Sequence, residues 1–400
     1  MAEALFARSL GSGVKEKLKI EVMRYHDPSK KNGTIVIQTV CAVLFCLFSF
    51  SWLYWFQADV LAVAQHVLSG GVTHYNRLVG AILITLILLL LQQAVVAITR
   101  LRRHTLSLTY VPSMFLLAVV SDLSQLSYFW LWCGLIVLLV WCGLVWLDRQ
   151  MMPFNPEKVP TGLFSRKLWR NVLHLSCMML GVAALGNTNA VYHYRAHAEI
   201  SLLQGDIDEA LRVGERSLET DASLTMIRAY ALALKGELGS HLFEYPVAGS
   251  GADLIPLRDS RSRTLIVSPD SIYTLCGARP VAIYNTHRYL DILEKDSLAR
   301  PAALHYRLCG LLIDRKLDAF AHTLVRFLPI NDSLPRHYRE ALTLYTHQSS
   351  LPVVVYHDAV MDQDWEDLQK LRKEYASPNE RKGKVAERYR GSYWYYYLYP

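Results

Sequence analysis

Apolar residues follow two different patterns along this chain, and the change falls at about residue 190. Before it they form long unbroken runs; after it they recur at helical spacing between charged residues. Thr34–Phe56 and Leu78–Thr99 are both long runs without a charge. Crossing the hydrocarbon core of a bilayer takes about 20 apolar residues, so both qualify as spans on length. A third, Tyr128–Leu147, carries Trp130, Trp132, Trp141 and Trp146. Two further segments are weaker: Ser107–Val120 stops short before Asp122, and Val172–Leu185 contains His174. Both are expected to cross, because only then does the alternation of loops close. The pattern predicts spans at about 34–56, 78–99, 107–123, 128–147 and 170–188.

Charge sharpens this division. Of 42 Lys+Arg, 16 precede residue 190, against 8 of 35 Asp+Glu. The first half therefore carries +8 and the second −1 of the net +7. Short loops rich in Lys and Arg stay in the cytoplasm. The arm 1–33 carries seven such residues, the loop after the first span only Arg77, and Arg100, Arg102 and Arg103 follow the second span. The 121–127 loop has none, and Asp148–Arg170 has five. Basic, bare, basic, bare, basic places the N-terminus in the cytoplasm and residues 191–400 outside, which in a bacterium is the periplasmic side of the inner membrane. The polar arm and the length of the first apolar run exclude a cleavable signal. Trp52, Tyr54, Trp55 and Phe56 fit an aromatic belt at the outer interface. Cys276 and Cys309 alone belong to the second half, enough for one bridge and too few for a disulfide framework.

In the second half, Gln204-Gly205-Asp206-Ile207-Asp208-Glu209 reads as a tight turn and a capped helix start, with Glu209 placed to complete a capping box with Asp206. Ile207, Ala210, Leu211, Gly214 and Leu218 fall on one helical face. Leu317, Phe320, Ala321, Leu324 and Leu328 repeat the spacing much further along the chain, with Arg315 in place of the turn glycine. Lys235-Gly236-Glu237 echoes the turn, but Tyr245-Pro246 and Gly249-Ser250-Gly251 stop the helix that should follow. These segments resemble tetratricopeptide repeats: one good copy, one partial, one degenerate. Stacked antiparallel helices are expected either way. Val247–Arg263 is expected as an inserted loop, Val281–Leu293 with Arg300–Ile313 as a helix pair, and Pro352–Tyr356 as a helix start or a strand.

The membrane half resembles a family of uncharacterised integral membrane proteins of Bacteroidetes-type bacteria. Gln57-Ala58-Asp59-Val60-Leu61, Gln65-His66, Gly70-Gly71-Val72-Thr73 and Leu108-Thr109-Tyr110-Val111-Pro112-Ser113 carry the resemblance, with the aromatic end Tyr393-Trp394-Tyr395-Tyr396-Tyr397. It implies an inner-membrane protein facing the periplasm, and no activity.

Chemistry is sparse. Asp59 and His66 share the first outer loop and stand two helical turns apart, nearly on one face. They are the candidate site of a glycosyl- or lipid-transfer enzyme at the outer leaflet. The competing explanation is an interfacial amphipathic helix with Val60, Leu61, Val63, Ala64, Val67 and Leu68 on the bilayer. Gln92 and Gln93 read as hydrogen-bonding glue between spans. The acids from Asp358 to Asp367 lack the glycine and spacing of an EF-hand and suit a helix N-terminus. His287, His305, His322, His337 and His347 show no zinc spacing, so neither metal nor cofactor is expected. Candidate partner-binding positions are Tyr194, His197, Arg228 and Leu232 by analogy with the repeat, and Tyr393, Trp394 and Tyr395 in the aromatic tail. That tail either docks a partner, packs back on its own domain, or lies on the membrane surface. The expected fold is all-α: a five-helix transmembrane bundle followed by an extracytoplasmic helical repeat domain. Its expected role is a non-catalytic scaffold or assembly factor with the bilayer and envelope proteins, but no nucleic acid, as partners.

Overall fold

The computed structural model describes residues 28–99, 101, 105–122, 128–151, 165–331 and 333–399. Expectations for positions 1–27 and for the loop centres at 102–104, 123–127 and 152–164 fall outside the described residues. Every regular element among the described residues is helical. The chain divides into two compact units, Met1–Thr188 and Asn189–Pro400.

In the first unit, α1 (Pro28–Ser51) runs into a π-helical turn, Trp52–Phe56. It is followed by α2 (Ala58–Ser69), α3 (Arg77–Thr99), a 3₁₀ turn (Leu106–Tyr110) leading into α4 (Val111–Val120), α5 (Tyr128–Met151) and α6 (Arg166–Leu185). Four helical stretches are long and apolar enough to cross a membrane: Ile35–Phe56, Arg77–Thr99, Trp130–Gln150 and Arg166–Leu185. The run expected at 107–123 is shorter, a helical stretch over Leu106–Val120. With a rise of about 2.0 Å per residue in its 3₁₀ turn and about 1.5 Å in its α part, it spans about 25 Å.

Hydrogen bonds at the helix ends fix the course of the chain. At one end Trp52 donates from Nε1 to Ser121 Oγ (2.8 Å), Gln57 donates to the Asn187 carbonyl (3.0 Å), and the Asn187 N–H donates to the Ser121 carbonyl (3.0 Å). The C-terminal ends of α1, α4 and α6 therefore meet. Trp130 near the start of α5 joins them by donating to Asp122 (3.1 Å). At the other end Arg149 donates to the Thr99 carbonyl (3.0 Å), Thr105 to Asp148 (2.8 Å), and the Ser107 N–H to Asn171 (2.8 Å). Successive apolar segments thus run in alternating directions.

The short α4 segment packs among its neighbours, touching α3, α5 and α6, while Tyr110 packs against Phe45 of α1. Its polar groups are used inside the bundle. Ser113 donates to the Leu88 carbonyl (2.8 Å), and Gln92 donates to Thr109 (3.0 Å). In contrast α5 leaves Leu131, Trp132, Leu135, Leu138 and Leu139 exposed, as a lipid-facing helix would.

The second unit starts with α7 (Ala190–Leu203), α8 (Ile207–Arg212), α9 (Ala222–Lys235) and α10 (Leu238–His241). Two 3₁₀ turns, Leu242–Glu244 and Gly251–Leu254, lead through an irregular stretch to α11 (Pro269–Cys276) and α12 (Thr286–Lys295). Then come α13 (Pro301–Ile313), α14 (Leu317–Phe327), α15 (Arg336–Gln348), α16 (Ala359–Glu374), α17 (Pro378–Tyr389) and α18 (Tyr393–Leu398). Neighbours in sequence pack pairwise, α7 on α8, α13 on α14 and α16 on α17, around one apolar core.

The turn at Gly205 forms in the left-handed conformation, and Asp206 caps α8 by accepting the Glu209 N–H (2.9 Å). The helix beyond it is shorter than the apolar spacing predicts. It ends at Arg212, Gly214 turns left-handed, and Leu218 is exposed. Two distant residues stop it. The Tyr194 ring occupies the space a Cβ on residue 214 would need, and Arg228 donates to the carbonyls of Val213 (3.3 Å) and Gly214 (3.1 Å). The partial copy is regular: Leu317, Phe320, Ala321 and Leu324 are buried, and Arg315 takes the left-handed turn position itself.

The stretch expected as a loop at 247–263 is irregular apart from the 3₁₀ turn Gly251–Leu254, and parts of it are inside. Asp253, Leu254, Ile255, Ser260 and Ser262 are buried, and the Gly251 N–H donates to Asp314 (2.7 Å). Glu199, fully buried on α7, accepts N–H groups from Leu265, Ile266 and Val267. Pro352–Tyr356 is neither strand nor helix; Val353 and Tyr356 donate their N–H groups to the hydroxyls of Tyr345 and Thr346.

Candidate interaction surface

The densest arrangement of polar and aromatic groups lies where the aromatic tail meets the rest of the second unit. Glu340, on the face of α15 turned inward, is almost wholly buried. A buried carboxylate needs donors, and it has three. Arg336 Nε lies at 2.8 Å, His337 Nδ1 at 2.9 Å, and the Tyr393 N–H at 2.7 Å. His337 accepts the Phe243 N–H at Nε2 (3.2 Å), so its ring proton sits on Nδ1 and points at Glu340. The carboxylate thus faces the first N–H of α18, where the free amides of a helix start favour negative charge.

The aromatic rings complete the seat. Trp394 donates from Nε1 to the Glu340 carbonyl (2.6 Å) and packs edge-on to Trp365. Tyr393 packs against Phe243 and donates to the Leu312 carbonyl (3.3 Å); Tyr396 donates to the Ile313 carbonyl (2.9 Å). Arg315 donates to the Tyr396 carbonyl (3.1 Å), and its guanidinium lies 4.9 Å from the centre of that ring. The last carbonyls of α13 are satisfied by tyrosine hydroxyls, and the arginine at the left-handed turn is held by the tail.

Tyr393 and Trp394 are consequently buried anchors, whereas Tyr395, Tyr397 and Tyr399 are half-buried, with the Tyr399 hydroxyl itself inside. Tyr395 and Tyr399 pack with ring centres 5.4 Å apart. Of the positions suggested by the repeat, Tyr194 and His197 are half-buried, while Arg228 and Leu232 are inside the unit. The Arg228 guanidinium lies 5.0 Å from the centre of the Tyr245 ring, and burial lowers its basicity. Arg228 lies under the carbonyls of Val213 and Gly214, just past α8, and Leu232 belongs to the apolar core.

Asp59 and His66 both lie on α2 and are half-buried. The His66 ring sits against Gly71, 3.2 Å from where a Cβ there would stand. Val60, Leu61 and Val63 are buried inside the unit, leaving Val67 and Leu68 exposed, so most of the apolar face of α2 meets protein. The acids from residue 358 start a helix, as Asp358 caps α16 by accepting the N–H groups of Val360 (2.9 Å) and Met361 (3.1 Å). Cys276 and Cys309 are separate free thiols, each pushed up to about 12 by burial. Three or more His, Cys, Asp or Glu side chains in metal-holding proximity are not found among the described residues.

The Glu340 seat escaped sequence analysis because its signal is split among Phe243, Leu312, Glu340 and Tyr393. Only the aromatic density of the tail was visible.

DUF6057, described as a family of unknown function, matches residues 282–400. The matched segment runs from α12 to the tail and contains Glu340, Arg315 and the aromatic residues packed around them. No curated protein and no solved structure matches the chain.

Proposed function

We propose that this chain is a bacterial inner-membrane protein that holds a non-catalytic helical interaction domain outside the cytoplasm, as a scaffold or assembly factor of the envelope. The alternating direction of α1, α3, α4, α5 and α6 favours five crossings over four, with the short α4 sheltered from lipid by the longer helices. Five crossings and the basic loops agree on a cytoplasmic N-terminus and an outer second unit. The paired helices of that unit suit a degenerate repeat fold, whose extended surfaces bind partners without chemistry.

One observation carries the interaction role: Tyr395, Tyr397 and Tyr399 are half-buried tyrosines held on buried anchors. Tyrosine dominates binding hot spots, and side chains fixed in advance cost little entropy on association. Tyr194 and His197 are further surface candidates. An outer-leaflet transferase at Asp59 and His66 has less support, since His66 packs on its own loop and α2 faces the bundle.

The test is affinity purification of tagged full-length protein in mild detergent with identification of its companions. Parallel samples would carry Tyr395→Ala with Tyr399→Ala, and Asp59→Asn. Envelope proteins retained by wild type and by Asp59→Asn, but reduced at least about tenfold by the tyrosine pair, are expected; each hot-spot side chain contributes about 1–2 kcal/mol. Loss of function through Asp59→Asn at normal protein level, with no companions recovered, would overturn the scaffold in favour of the enzyme.

A further inference from the structure

The second unit carries two loops with strongly exposed apolar side chains, beside Tyr284 and Val354, which pack on its core. In the loop between α11 and α12, Val281 is 95% and Ile283 76% exposed, and Leu298 on the adjoining loop is 50% exposed. The two loops are joined by the Arg300 N–H, which donates to the Cys276 carbonyl (2.9 Å). In the loop before α16, Leu351 is 88% exposed, with Val353 and Val355 beside it. Apolar side chains of this size are normally driven out of water, so two such loops call for a cover.

Charge separates the two. The first loop reads Arg279-Pro280-Val281-Ala282-Ile283-Tyr284, followed by His287 and Arg288, and Arg300 closes its neighbour. Arg288 lies 6.0 Å from the centre of the Tyr284 ring, and both Arg288 and Arg300 are exposed. Arg279 pairs with Asp270, and His287 and Arg307 share Asp291, while Lys295 and Asp296 stand exposed nearby. The loop at 351 is followed instead by Asp358 and Asp362, which pair with Arg339 and His357 among the described residues. An apolar tip with a tyrosine and arginines at its shoulders is the composition that lies in a bilayer interface: the tip enters, the ring sits at headgroup level, and the cations meet anionic lipid.

A bilayer is also within reach. Only residues 186–189 separate α6 from α7, so the second unit begins at the end of an apolar helix long enough to cross a membrane.

We propose that the Val281–Ile283 loop inserts into the headgroup region of the membrane that anchors the chain, held there by Arg288 and Arg300 on anionic lipid. This rests on the membrane-anchored role proposed above.

The experiment uses full-length protein with Cys142 and Cys177 changed to Ser, reconstituted in vesicles of phosphatidylcholine and phosphatidylglycerol. An environment-sensitive fluorophore is placed by Ile283→Cys, or by Leu351→Cys as the comparison. A blue shift at 283, quenched by spin-labelled lipid and weakened in pure phosphatidylcholine, is expected, with neither shift nor quenching at 351. Emission at 283 that stays aqueous would overturn the inference. So would a blue shift that lipid spin labels do not quench, since the loop would then lie on protein or on a second copy. Flotation of the same vesicles keeps the two proposals apart. Protein that fails to float removes the anchor itself, whereas protein that floats with an aqueous 283 removes the loop insertion alone.

Discussion

At the residue scale, the second unit places titratable side chains where burial sets their behaviour. His305 contacts the Tyr338 hydroxyl at 2.9 Å, its ring stacked on the tyrosine, and burial lowers its affinity for a proton below the usual histidine value. Because the unfolded chain takes up that proton first, the stability linked to His305 is full above about pH 6.5 and is lost as pH falls through the lower folded value. Chemical denaturation of the solubilised protein, followed by near-ultraviolet circular dichroism, should show its midpoint falling from neutral toward about pH 5, with part of that fall absent in His305→Gln. An unchanged slope in the variant would remove His305 from the account. Some residue roles were readable in advance. Asp206 was expected as a helix cap and is one, and Gln92 bonds across helices. Arg228 was not: its place under the carbonyls just past α8 depends on a fold in which α7, α8 and α9 already touch.

At the element scale, helices start where their caps say and stop where distant residues force them. The N–H groups of Met361 and Val360, with Tyr356 and Arg339, hold the Asp358 carboxyl below the usual carboxylate range. Its contribution is therefore complete at neutral pH and disappears only as pH falls through that depressed value. Asp358→Ala should cost about 1 kcal/mol and speed amide exchange at Val360 and Met361, with no effect at α13. Exchange at 360–361 as slow as in wild type would deny the cap. The order of helices could be read from the chain, because apolar runs and helical spacing are local signals. Where α8 ends could not, since Ile207, Ala210, Leu211, Gly214 and Leu218 keep the right spacing past the point where Tyr194 occupies the helix's path. The stretch 247–263 was legible as an inserted loop, but not the hydrogen bonds that hold it, whose partners include Ser250, Arg261 and the Asp253 carbonyl of the same stretch. Arg315 shows the same limit, as the departure from the turn glycine was visible while the tail that supports it was not.

At the scale of the whole molecule, the prediction concerns sidedness. Four crossings would leave both ends of the membrane half on one side, and five leave them on opposite sides. In spheroplasts, protease added outside should digest the second unit while a tag on the N-terminal arm survives, and disruption of the cells should expose the tag. A second unit protected in intact spheroplasts would demand four crossings. Sequence supplied the basic loops and three of the runs at full length; the shortness of the stretch at Leu106–Val120 was visible there too. What it withheld was the set of longer helices packed around that short stretch.

That sheltered segment has a consequence for biosynthesis. A short apolar stretch such as Leu106–Val120, third in order and followed by two longer helices, offers the insertion machinery little reason to release it sideways by itself. Its serines and threonines find their partners on α3 and its own turn, and Ser107 waits for Asn171 on α6, the last helix of the bundle to be made. If α4 crosses as proposed, its entry into the bilayer is a collective event, completed only after the ribosome has passed residue 185. Truncations that end between α4 and α6 should strand it at the membrane surface, where quality-control proteases act.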